Sequence, residues 1–168
     1  MAEPSAELPN IAEILGRVLR RVPESERPLL VAIAERLAAE RYRGWAKRVR
    51  EPDREASLAA CAVREDEIAR RVESLHADAA AIQREILARL PDLSEINRSL
   101  FADRPLEQQF AMQAQGERAG AGLWRALAQS AGSAAARETY LACAGLEEES
   151  AAVLEALVRR PSAEGLET

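Results

Sequence analysis

At 168 residues, 48% apolar and 30% charged, the chain is long enough for one domain with its own core and too apolar for a disordered polymer. A net charge of −5, from 23 basic and 28 acidic residues, leaves no basic excess to neutralise phosphates, so nucleic acid is not an expected partner. No apolar run approaches the ~20 residues of a membrane helix. The opening MAEPSAELPN is too acidic and polar for a signal peptide. Two widely spaced cysteines give neither a zinc motif nor a disulfide framework, and the cytoplasm is the expected compartment.

In chain order, nearly every segment reads as helix, because Ala, Leu, Glu, Arg and Gln dominate and no stretch alternates with period two. A first helix over about 8–21 carries Ile11, Ile14, Leu15, Val18 and Leu19 on one stripe and stops at Pro23. Ser25 is the expected cap of a second helix, with Pro28 in its first turn, reaching about Arg50. A third is expected from Asp53 to Leu90, ended by Pro91, with a short helix over Leu93–Leu100 in the link that follows. Asp103 and Pro105 read as the cap and first turn of a helix reaching about Ala131, where Gly132 is the expected stop. Ser133 should cap the last helix, which ends before Pro161. The predicted organisation is an N-terminal helix (1–22), a bundle of two antiparallel hairpins joined by a long crossover (23–160) and a flexible tail (161–168).

The two hairpins repeat one another. Cys61 and Cys143 lie 82 residues apart, as do Glu65 and Glu147. The same offset carries AERLAAERYRGWA (34–46) onto GERAGAGLWRALA (116–128), matching Glu35 with Glu117 and Tyr42 with Trp124. Helical spacing then puts Glu35, Ala38 and Tyr42 on one face, and Glu117, Gly120 and Trp124 on another. Leu58, Cys61, Glu65, Ile68, Val72 and Leu75 form a third stripe, and Tyr140, Cys143, Glu147, Ser150, Leu154 and Leu157 a fourth. Each long helix therefore places one acid inside an otherwise apolar or small stripe, where an unpaired Glu is almost never found.

On these residues the sequence resembles the ferritin-like superfamily, most nearly its rubrerythrin-like branch, over about residues 29–157. In that superfamily two helices each supply a lone Glu and two supply Glu-x-x-His. The lone positions fall on Glu35 and Glu117, the Glu of each Glu-x-x-His falls on Glu65 and Glu147, and the place directly after each histidine, often Ala in that superfamily, holds Ala69 and Ala151. The histidine positions hold Ile68 and Ser150 instead. The resemblance implies an all-α, ferritin-like four-helix bundle in which Glu35, Glu65, Glu117 and Glu147 bind two divalent metal ions, Fe or Mn, through a His-free carboxylate site. With iron it implies oxygen or peroxide chemistry near Tyr42 and Trp124. An oxygen-only donor set favours hard ions. Gln113, one turn before Glu117, is a candidate for an extra oxygen.

The alternative is a metal-free scaffold acting in protein association, its acids turned to water or paired with Arg36, Arg64 or Arg118. A homo-oligomer is the expected assembly; the first helix reads as an ordinary packing helix, with covering one end of the bundle or docking on another subunit as the alternative. The two cysteines, about 12 Å apart along antiparallel helices, are expected to be core residues rather than a disulfide. His76 reads as a surface residue, Tyr42, Trp45 and Trp124 as core fillers, and Gly116, Gly120 and Gly122 as points of close helix approach.

Overall fold

The structure is a computed structural model and describes residues 8–160. The expectations for the extreme N-terminus and for a tail over 161–168 lie outside those residues. The described chain is all-α: α1 (Ile11–Leu19), α2 (Arg27–Ala46), α3 (Pro52–Glu73), α4 (Ala79–Arg89), α5 (Leu93–Phe101), α6 (Leu106–Gln129) and α7 (Ala134–Arg159). Among the described residues there is no strand, and no helix is long and apolar enough to cross a membrane.

Local chemistry explains most boundaries. Asn10 caps α1 by accepting from the Glu13 N–H at 3.1 Å, and Ser133 caps α7 by accepting from Ala136 N–H, also at 3.1 Å. Pro28 and Pro52 sit in the first turns of α2 and α3, where the missing N–H costs nothing. Several expected boundaries need correction, among them the end of α2, which stops at Ala46 rather than near Arg50. The first helix is shorter than 8–21. Ser25 does not cap α2: it lies in a 3₁₀ turn, Glu24–Glu26, that leads into the helix. Asp103 is not a cap but a left-handed turn residue at φ 58°, which Asp tolerates, and α6 starts after Pro105. Finally, α6 ends at Gln129, ahead of Gly132.

The largest correction is at 53–90, where one helix becomes two. Leu75 and His76 donate back three residues, to Val72 and Glu73, which tightens and ends α3. Ser74, His76 and Asp78 are weak helix formers. The bend carries α4 back so that Ala79 and Ile86 bury in the core and Gln83 donates to the Leu29 carbonyl of α2. His76 is therefore half-buried at the bend, not a surface residue, and its Nε2 is buried without a partner.

Four long helices pack as two hairpins, α2 on α3 and α6 on α7, and the hairpins meet where α3 lies against α7. Their core is split into two apolar layers. One holds Leu29, Ala32, Ile68, Val72, Trp124 and Cys143. The other holds Tyr42, Trp45, Leu58, Cys61, Phe110 and Leu154. Burying each large aliphatic side chain contributes about 1.5–3 kcal/mol. Along every long helix, the single inward acid falls at the crossing between the layers. The segment after α3 descends from the first layer (Ile86, Leu90, Leu93) to the second (Phe101), which brings the chain to the start of α6.

The first helix does not cover a bundle end. It lies along α6, its last turn entering the first core layer with Val18 and Leu19. Gly116 admits it: a Cβ there would stand 3.3 Å from Ile11 Cγ2. Arg21, just beyond α1, grips Asp92 before α5 through two hydrogen bonds of 2.9 Å. At Gly122 a side chain would meet open space, so that glycine serves no close approach.

Candidate metal centre

The boundary between the two apolar layers is acidic. Glu35, Glu65, Glu117 and Glu147 are 8%, 0%, 1% and 2% exposed. One carboxylate oxygen each from Glu35, Glu65 and Glu147 can be chosen so that all three lie within 4.8 Å of one another. Glu117 stands outside that trio but against it, in hydrogen-bonding contact with Glu147.

Neutral donors fix three of the four. Tyr42 Oη and Gln113 Nε2 both donate to Glu117 Oε1 at 2.7 Å. Trp124 Nε1 donates to Glu147 Oε1 at 2.8 Å. Ser150 Oγ donates to Glu65 Oε1 at 2.9 Å, so the side chain at one expected histidine position does reach the cluster. Ile68, at the other, is fully buried in the first apolar layer. Glu65 Oε2 is buried and has no hydrogen-bond partner. An orphaned carboxylate oxygen facing further acids is what a hard cation would satisfy, so this donor set fits a metal.

Backbone placement helps. A Cβ on Gly120 would stand 2.5 Å from Glu147 Oε1 and 2.8 Å from its Cδ. Glycine at 120 thus holds the space that the Glu147 carboxylate fills, whereas its repeat counterpart is Ala38.

Electrostatics argue the same way. Burial, opposed by contact with Glu65 and reinforced by repulsion from Glu117, pushes the Glu35 carboxyl up to about 7. Burial, then the neighbouring acids, pushes Glu65 and Glu147 well above the carboxylate range. Tyr42 is likewise raised, by burial and by Glu117. Without a cation the cluster must hold protons, because burying several like charges together costs several kcal/mol each.

The arginines named as possible partners are engaged elsewhere. Arg36 pairs with Asp66 and Glu73, Arg64 with Glu149, and Arg118 with Glu155, all on the exterior. The expectation that the acids turn to water or to these arginines is overturned. The nearby guanidinium is instead Arg41, which donates to Gln113 Oε1 at 2.8 and 3.0 Å and to Asn97 Oδ1 at 2.7 Å. It stacks over Phe101, 4.0 Å from the ring centroid. Burial lowers it to about 10 against the attraction of Glu117. Because the Gln113 oxygen serves Arg41, that residue braces Glu117 through its amide nitrogen and does not add an oxygen to the cluster.

Arg41 and Asn97 carried no signal in the sequence, since neither lies on an acid-bearing stripe. Both cysteines are free and buried, and burial pushes their thiols up to about 11 at Cys61 and about 12 at Cys143. Trp45 is a core residue whose Nε1 donates to Gln109 Oε1 at 2.8 Å. No family model, curated protein or solved structure matches the chain.

Proposed function

We propose that the protein is a divergent ferritin-like four-helix bundle that binds two divalent metal ions, Mn or Fe, through Glu35, Glu65, Glu117 and Glu147. The observation that carries this reading is the burial of four acids at one level, three of them with carboxylate oxygens within 4.8 Å of one another. Four ionised carboxylates are balanced by two divalent cations, which would displace the protons the cluster otherwise has to hold. The oxygen-only donor set supports Mn(II) and Mg(II) over softer ions, with Fe(II) also accommodated.

When bound, such ions supply Lewis acidity and, if iron, one-electron redox chemistry. The chain's own residues set the conditions around them. Tyr42 and Gln113 hold one Glu117 oxygen and leave the other to bind. Trp124 does the same for Glu147, and Ser150 for Glu65. The apolar layers on both sides exclude water and strengthen every charge interaction between them.

Elemental analysis of protein purified without chelators tests the reading, with thermal unfolding in added Mn(II) or Fe(II). Metal bound in near-stoichiometric amount and a raised midpoint support it. Less than about a tenth of an equivalent, with no shift on adding either ion, returns the chain to a metal-free scaffold; saturation at a hundred times Kd would otherwise stabilise by about 2.7 kcal/mol.

A further inference from the structure

A cavity of about 140 Å³ lies between α2 and α6, beneath α1 and α5. Ile14 and Val18 of α1, Leu30 of α2 and Ile96 of α5 form its apolar walls. Its floor is polar and consists of Glu35, Glu117 and Glu147. Arg41, stacked on Phe101, closes one side.

An apolar cavity of this size stays dry unless polar groups hold a water, and a cavity of about 150 Å³ lined by aliphatic and aromatic side chains accepts benzene or xenon. Here the polar surface is the acidic floor, which belongs to the proposed metal centre, together with Arg41, Asn97 and Gln113 on one side, where Arg41 is hydrogen-bonded to the other two. A charged guest would lose its hydration against aliphatic walls, and an anionic one would also meet the acids. The space is too small for a long alkyl chain or a nucleotide.

We propose that this cavity binds a small, uncharged, apolar molecule, about the size of benzene, directly above the carboxylates. The inference deepens the metal reading by naming the class of molecule the site meets, and it rests on that reading for what lies under the guest. Pocket and acids share three residues, so a molecule seated here touches the centre.

Benzene and xenon are the probes, added to the full-length protein with and without Mn(II). At ten times its dissociation constant, benzene should raise the folding equilibrium constant about elevenfold, and xenon should show a shifted, exchange-broadened ¹²⁹Xe signal. Ala34→Leu, which extends a side chain into the cavity, should abolish both effects. Should that variant fail to fold, Ile96→Phe, on the short half-buried α5, makes the same comparison. No benzene or xenon response in the wild type, or an equal response in the filled variants, overturns the inference. Metal uptake without benzene binding overturns this inference alone. Benzene binding without metal uptake upholds the cavity and removes the metal reading.

Discussion

The carboxylate of Glu147 occupies the place where Gly120 would carry a Cβ, 2.5 Å from Oε1, and the same oxygen accepts the indole N–H of Trp124. Gly120 and Trp124 therefore position Glu147 together, one by leaving room and the other by donating. In Gly120→Ala, helix propensity favours the variant by about 1 kcal/mol, while the new methyl drives Glu147 off its donor. The metal-free protein should change little in stability. Affinity for Mn(II) should fall about ten- to a hundredfold, as when a ligand's support is disturbed. Urea unfolding and a metal titration on the same preparation separate the two effects. Unchanged affinity would remove Glu147 from the ligand set.

Acidity should stabilise the metal-free form. The Glu35 carboxyl titrates near 7 in the folded chain, against 4.5 as a free side chain. A raised folded value means that its stabilising share is full below pH 4.5 and is lost as pH climbs through 7. Glu65 and Glu147 are shifted in the same direction. From Glu35 alone the loss is roughly 3 kcal/mol. Metal-free protein should thus unfold more readily at pH 8 than at pH 5. With Mn(II) the trend should reverse, because the ion displaces protons and binds more tightly as pH rises. Urea midpoints across this range, with and without metal, are the measurement.

Neutralising one acid should separate the two forms of the protein. Glu35→Gln removes repulsion and should stabilise the metal-free chain at pH 8, by up to roughly 3 kcal/mol, while weakening metal binding. Glu65→Gln should act in the same direction, since Glu65 Oε2 has no partner to lose. Equal effects with and without metal would mean that the acids do not share a cation.

Tyr42→Phe tests the bracing of Glu117. It deletes one of two donors to a buried carboxylate, and a hydrogen bond to a charged group is worth about 1.5–3 kcal/mol. The loss should appear in the urea midpoint of the Mn(II)-loaded protein.

Much of the fold could be read in advance from the 82-residue offset. It picked out the four acids and their aromatic partners, and all four acids are buried at one level. The two-layer core follows from the same stripes. What escaped depends on contacts that have no sequence period. The bend between α3 and α4 is set by a few weak helix formers and by the apolar face of α4 finding α2. Arg41 meets Gln113 and Asn97 only because three helices converge there. Gln113 was noticed for its oxygen, yet in place it is the nitrogen that touches Glu117. The resemblance at Glu65 and Glu147 named positions 68 and 150 as altered, but could not say that Ser150 still touches its acid while Ile68 joins the apolar layer.

That difference makes Ser150→His an informative change. Ser150 Oγ lies 2.9 Å from Glu65 Oε1, so an imidazole rooted there meets the cluster. Overpacking should cost about 1–3 kcal/mol. In return, the preference should move toward Fe(II) and Zn(II), which imidazole suits better than it suits Mn(II) or Mg(II). Competition titrations of Mn(II) against Zn(II) read the change.

The hydrogen bonds around the acids ignore the internal duplication. Tyr42 reaches from α2 to Glu117 on α6, whereas its counterpart Trp124 turns to Glu147 on α7, not back to Glu35. The symmetry of the sequence repeat is thus lost at the level of chemistry. Two cations seated here would occupy unlike surroundings, and filling would proceed in two distinguishable stages, with the less restrained Glu35 the last to settle.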